Sequence, residues 1–201
     1  MSYFITGTDT NIGKTLVSSW LCLQTGYDYF KPIQSGAIES RDSLDVQRLS
    51  GTFCHAECYS LKASLSPHHA AQLEGITLDL QQITLPPPSK LIVEGAGGVF
   101  VPINDQFVML DLMVKFNLPL IIVARTTLGT INHTLLTIQA IRQRELEIAG
   151  IILSGEPNPG NAKTIEHFGN VPVLATLPHL RRIDKQTLLD LPLPPRLKEL
   201  F

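Results

Sequence analysis

Residues 3–20, YFITGTDTNIGKTLVSSW, pass from an apolar run through a turn rich in Gly and Thr into a helical pattern. That order constrains the fold strongly. A strand that empties into Gly-Lys-Thr and then a helix aims the turn's backbone N–H groups, and the positive end of the helix, at one small volume. The strict phosphate-cradling pattern puts four residues between its first Gly and the Gly-Lys pair. Here five residues separate Gly7 from Gly13, and Thr8 stands where that first Gly belongs. An ordinary strand-to-helix turn accounts for Gly13 but gives no reason for Lys14 and Thr15 in the first helical turn. In a cradle both have a task, since the Lys meets the outer phosphates and the Thr hydroxyl takes a place on Mg2+.

The rest of the chain repeats the strand-then-helix order. Apolar runs at 3–7, 29–33, 90–95, 118–124, 149–153 and 171–177 alternate with helical patterns at 14–25, 42–50, 67–74, 107–116, 132–144 and 160–168. Several runs, such as LPLIIVA at 118–124, are continuous rather than alternating, as expected of parallel strands covered on both faces. The expectation is an α/β doubly wound fold, a mostly parallel sheet with helices on both faces, of the phosphate-loop NTPase type. The proline-rich ITLPPPSK at 83–90 reads as a stiff loop before a strand, so residues 1–201 are expected to form one domain. The Pro-interrupted tail DLPLPPRLKELF (190–201) is expected to pack on the surface or at a partner subunit.

Composition excludes several functions. A net charge of −2 without a Lys/Arg run argues against a nucleic-acid partner. The longest apolar stretch is far too short to span a membrane. The start MSYFITG enters a strand at once, without a charged segment followed by an apolar one, so a cytoplasmic location is expected. Three cysteines, Cys22, Cys54 and Cys58, fit reduced thiols better than a disulfide framework. CHAEC at 54–58 lacks the second Cys/His pair that a zinc site needs.

Open α/β sheets bind ligands beyond the carboxyl ends of their strands. There this chain places TDTNIGKT, KPIQSG, EGAGG, RTTLGTINH and SGEPNPG. Lys31 follows the second strand toward the same crevice as Lys14, and two converging lysines suit a ligand with more charge than a triphosphate alone. Glu94 closes a buried run just before Gly95, Ala96 and Gly97, where a carboxylate must be paired, protonated or metal-bound. Thr15, Glu94 and an Asp from SRDSLD would form a Mg2+ site, which prefers a few carboxylates plus phosphate oxygens. Taken alone, Asp42 reads equally well as a helix cap.

The ordered set GTDTNIGKT, KPIQSG, RDSLDVQ, SLSPHHAA, VEGAGGVFVPI, LGTINHTLLT and LATLPHL resembles the dethiobiotin synthetases, over about the first 180 residues. That family's loop has the longer Gly-to-Gly spacing. The resemblance implies an ATP- and Mg2+-dependent ligase of biotin synthesis. One amine of 7,8-diaminopelargonate takes up CO2 as a carbamate, and the γ-phosphate of ATP converts it to a carbamic–phosphoric anhydride. The second amine then closes the ureido ring. It further implies a homodimer. By motif match, the catalytic residues are Lys14, which serves the β- and γ-phosphates, Lys31, which holds the carbamate and stabilises the transferred phosphoryl group, and Thr10, which lines the cradle. Asn11, Ile12, Gly13, Lys14, Thr15 and Leu16 wrap the phosphates, and Thr15, Asp42 and Glu94 bind Mg2+. Ser35 touches the substrate. Gly129, Thr130, Ile131 and Asn132, at a helix start, hold its tail carboxylate across the dimer interface. Gly95, Ala96, Gly97, Ser154, Gly155, Leu177, Pro178 and His179 complete the nucleotide site.

Two positions depart from the family pattern. Asn11 replaces a carboxylate present in some relatives, and Ser154-Gly155 stands where an Asn often reads adenine, which implies weak base selectivity. Two other functions fit parts of the pattern. Related phosphate-loop amidoligases normally carry a glutaminase domain, for which this chain has no length. Partition-type regulatory ATPases usually carry an extra Lys early in the loop, where residues 6–9 here are Thr-Gly-Thr-Asp.

Overall fold

The computed structural model describes residues 1–87 and 90–201. Pro88 and Ser89, within the proline-rich connector read over 83–90, lie outside the described residues. The elements in chain order are β1 (Tyr3–Gly7), α1 (Lys14–Thr25), β2 (Asp28–Phe30), β3 (Ile33–Gln34), α2 (Asp42–Ser50), β4 (Cys54–His55), β5 (Tyr59–Ser60) and α3 (Pro67–Glu74). A short 3-10 turn (Leu80–Gln82) leads to β6 (Leu91–Gly98), α4 (Met109–Phe116), β7 (Leu120–Arg125), α5 (Thr130–Arg142), β8 (Ile148–Ser154), α6 (Pro159–Gly169), β9 (Val173–Leu177), α7 (Lys185–Leu189) and α8 (Pro195–Lys198).

Seven strands form one sheet in the order β4-β2-β6-β1-β7-β8-β9, and every pairing in it is parallel. The chain builds outward from β1 in both directions, so a crevice opens at the carboxyl end of β1, where loop 8–13 leaves the sheet. Along each central strand the side chains divide between two cores. Phe4, Ile122 and Ala124 join the core under α3, α4, α5 and α6, whereas Tyr3, Ile5, Ile121 and Val123 join the one under α1, α2, α7 and α8. Apolar character on both faces is why the runs are continuous.

One expected strand is broken. The apolar run at 29–33 reads as a single strand, but β2 ends at Phe30 and β3 begins at Ile33. Pro32 has no N–H to give to a ladder, and its carbonyl instead accepts the amides of Cys58 and Tyr59. The chain thereby moves to a separate two-stranded sheet of β3 and β5, and Lys31 is left at the step between the sheets. The other expected elements are found within a few residues, helix 132–144 starting instead at Thr130.

The tail packs against its own chain. Leu191 O accepts the Trp20 indole N–H at 2.7 Å, the Phe201 ring lies against Tyr3 and Tyr27, and Leu197 is fully buried. Among the described residues no helix is long and apolar enough to cross a membrane.

Candidate active site

The loop between β1 and α1 is held by conformations that few residues adopt. Gly13, in the cap position of α1, has φ of 94°, and a Cβ there would lie 2.6 Å from Ser154 Oγ. Position 13 therefore needs glycine for both its backbone and its surroundings. Asn11 also lies in the left-handed region, at φ 56°, a conformation that Asn tolerates better than most residues. Among the described contacts, no side chain caps α1, so its first amides remain open toward the crevice. Lys14 folds back along the loop and donates to the Asp9 carbonyl at 2.9 Å. Burial pushes its ammonium down to about 8, against the pull of Glu94 in the other direction.

Glu94 is the centre of the site. It is 1% exposed, and four groups donate to its carboxylate. Oε1 accepts from the Thr15 hydroxyl at 3.0 Å and Lys31 Nζ at 3.2 Å; Oε2 accepts from the Ser18 hydroxyl at 2.7 Å and the Tyr29 hydroxyl at 3.0 Å. Such donors are what allow a charge to stay buried. Lys31 also pairs with Asp42. Burial works against its charge, but Glu94 and Asp42 prevail and hold the ammonium above the usual lysine range. Burial, and then the Glu94 charge, drive the Tyr29 phenol well upward, so it is a fixed donor.

Asp42 does not cap α2. It is the first helical residue after Arg41, and its N–H is taken by Gln34 Oε1 at 3.0 Å, leaving its carboxylate to Lys31. The Gln34 amide donates to Ser35 O at 2.6 Å, so one buried side chain holds the backbone at both Ser35 and Asp42.

These groups border a cleft of about 930 Å³. It brings together Thr10, Asn11, Gly13, Lys14, Thr15, Leu16, Lys31, Ser35, Asp42, Ala96 and Gly97. The Ser35 hydroxyl is buried on its wall with no hydrogen-bond partner among the described residues. Ile12 points into the core, and the buried Glu94 reaches the cleft through its bonds to Thr15 and Lys31. Gly95 faces away, where a Cβ would meet the Phe4 ring at 2.9 Å.

The remaining candidates lie elsewhere. Ser154 ends β8 behind Gly13, the Gly155 N–H donates to Leu177 O at 2.9 Å, and Pro178 and the exposed His179 follow β9. This group sits across β6, β1 and β7 from Lys31. Gly129, Thr130, Ile131 and Asn132 form the start of α5, where Thr130 is buried and Asn132 is exposed. A second hollow of about 500 Å³ runs from Thr10 along Phe100 and Val101 to His133 and Leu136 on α5, and it shares Thr10 and Val101 with the first.

Ser18, Tyr29, Gln34, Asp9 and Arg125 were not singled out in the sequence. Ser18 had a signal: it lies three residues after Thr15 and so shares its helix face. Asp9 and Gln34 adjoin site residues in the chain, but their contacts with Arg125 and with Asp42, like those of Tyr29 with Glu94, come only through the fold.

The model of an AAA domain family matches residues 1–187. The chain is 49% identical over 201 residues to the ATP-dependent dethiobiotin synthetase BioD of Lawsonia intracellularis, covering 100% of this chain and 99% of that protein. It is 46% identical over 193 residues to the enzyme of the same name from Paramagnetospirillum magneticum, covering 95% and 94%. Among solved structures, a ParA family ATPase from Chlorobium tepidum shares the fold at a TM-score of 0.58 and 12% identity, over 94% of this chain and 89% of that one. With near-complete coverage at close to half identity, the chain belongs to the ATP-dependent dethiobiotin synthetase family.

Proposed function

We propose that this chain is the enzyme its relatives are named for, joining CO2 to 7,8-diaminopelargonate with ATP to give dethiobiotin. The observation that carries the reading is the charge arrangement: two buried lysines border one cleft, beside a glycine-capped helix start and a buried carboxylate. A carbamate and a triphosphate are both anions and meet only where cations offset their repulsion.

In this reading the nucleotide's phosphates lie along the amides of residues 11–16, and Lys14 exchanges the Asp9 carbonyl for the β- and γ-phosphates. Lys31 holds the carbamate, with Ser35 and Thr10 as further contacts. The carbamate oxygen takes the γ-phosphoryl group and ADP leaves. The second amine then attacks the carbonyl carbon, expelling phosphate and closing the ring. Catalysis of this type is positioning and charge stabilisation, so no nucleophilic side chain is required. Thr15, Asp42 and Glu94 would hold Mg2+ through hard oxygen donors beside the phosphate cradle, where the two carboxylates now share the Lys31 ammonium. When bound, the ion neutralises phosphate oxygens. The second hollow gives the substrate's aliphatic tail a path from Thr10 toward the α5 face. There the start of α5 in a partner copy would receive the carboxylate, making the working form a homodimer of 201-residue, single-domain chains. The free cysteines suit a cytoplasmic enzyme.

The test is to incubate the protein with MgATP, bicarbonate and 7,8-diaminopelargonate and to follow dethiobiotin by mass spectrometry alongside phosphate. Dethiobiotin formation, with phosphate release that needs both diamine and bicarbonate, is expected. Release that ignores the diamine would overturn the reading.

A further inference from the structure

Asp9 is an acidic residue in a loop that has to gather anions. Its carboxylate accepts the Thr10 backbone N–H at 2.7 Å, and its carbonyl accepts Lys14 Nζ at 2.9 Å, so it adjoins two groups of the cleft. On its own such a charge would repel a polyphosphate. It is not on its own, because the Arg125 guanidinium, from the end of β7, pairs with its second oxygen. His133 of α5 borders the same hollow as Asp9. The Arg125 backbone is itself well fixed: it pairs with β8 at Ser154, and its carbonyl accepts the Thr130 hydroxyl at 2.5 Å. The guanidinium therefore reaches the loop from a rigid strand end.

We propose that Arg125 is a positioning residue for nucleotide binding: it cancels the Asp9 charge at the rim of the phosphate loop, so that Asp9 can organise Thr10 and Lys14 without repelling the nucleotide. The inference rests on reading loop 8–13 as a nucleotide cradle. The Thr10 amide bond, first, and then Arg125 and His133 hold the Asp9 carboxyl below the usual carboxylate range, so it is charged at neutral pH and its compensation matters. Both side chains are partly exposed, at 34% for Arg125 and 52% for Asp9, so the effect is screened by salt and moderate in size.

Equilibrium binding of a fluorescent ATP analogue to the full chain tests this without relying on ring closure. Loss of analogue binding by the unaltered protein would refute the cradle reading itself. With that binding in place, Arg125→Ala should weaken it about fivefold at low salt and by less at high salt. Adding Asp9→Asn to Arg125→Ala should restore affinity to within about twofold of the unaltered protein. An Arg125→Ala affinity within twofold of the original, or a double variant as weak as Arg125→Ala, overturns the proposal. The second result would mean that Arg125 acts by holding the loop or by touching phosphate. Should Arg125→Ala fail to fold, Asp9→Asn alone decides: it leaves an uncompensated cation beside the loop and should tighten binding several-fold, whereas equal or weaker binding overturns the proposal.

Discussion

At the scale of single residues the two lysines occupy different positions, and their proposed roles separate accordingly. Lys14 lies on the loop and is held by one neutral carbonyl, so it is free to follow the phosphates. Lys31 is clamped between Glu94 and Asp42 and is 4% exposed, so it is a fixed charge. Lys14→Ala should therefore lose nucleotide affinity and turnover together. Lys31→Ala should retain MgATP binding while turnover falls by about two orders of magnitude or more, the scale of removing a preorganised charge stabiliser. Nucleotide titrations beside steady-state rates would read both, and a Lys31→Ala enzyme with normal turnover would remove Lys31 from the mechanism. Ser154 supports a second expectation. Its hydroxyl packs against Gly13 and cannot present a donor and an acceptor together in the plane of a base, as an amide side chain does. GTP and CTP should support turnover within about tenfold of ATP, a difference of ~1.4 kcal/mol. Competition among the four triphosphates measures this, and a preference for ATP above about a hundredfold would defeat it.

At the scale of elements, the part of the fold legible in the sequence was the part encoded locally. Continuous apolar runs announced β1, β6, β7 and β8, and Gly13-Lys14-Thr15 announced where α1 starts. Strands β4 and β5, of two residues each, are too short to show any period. The break at Pro32 was signalled by the proline itself, against the apolar pattern around it. In the candidate site, Lys14, Lys31 and Glu94 could be singled out because charges at strand ends are conspicuous. The contacts that organise them could not: Tyr29 and Glu94 are 65 residues apart, and Asp9 and Arg125 are 116. The loop-to-helix junction carries its own prediction. Gly13→Ala places a Cβ where φ is 94° and where Ser154 Oγ is 2.6 Å away. The backbone alone should cost about 1–2 kcal/mol, so both thermal stability and nucleotide affinity should fall. Adding Ser154→Gly should recover only the steric part. Thermal melts of the single and double variants separate the two costs, and full recovery in the double variant would mean that the left-handed backbone is not needed.

For the whole molecule, the proposed mechanism draws on two separate sets of groups. The phosphate cradle, both lysines and the Mg2+ oxygens belong to the cleft at the end of β1, whereas Gly129–Asn132 begin α5 and do not border that cleft. Exposed apolar residues lie near the second hollow and the α5 start: Phe100 at 63%, Leu136 at 57% and the fully exposed Leu128. Burying such a cluster against a second copy would bring one chain's α5 start to the other chain's hollow, as the shared-site reading requires. If each working site draws on both chains, two different inactive chains should complement each other. Lys31→Ala damages the cleft and leaves the α5 start intact; a bulky charged replacement, Asn132→Glu, repels the substrate carboxylate and leaves the cleft intact. In a mixed dimer one of the two sites then combines an intact cleft with an intact α5 start. Mixing equal amounts of the two inactive proteins and allowing subunits to exchange should restore up to about a quarter of normal activity, since half the dimers are mixed and each carries one good site. Activity of the mixture no greater than that of the separate proteins after proven exchange, or a fully active monomer in a sedimentation experiment at assay concentration, would show that each chain completes its own site.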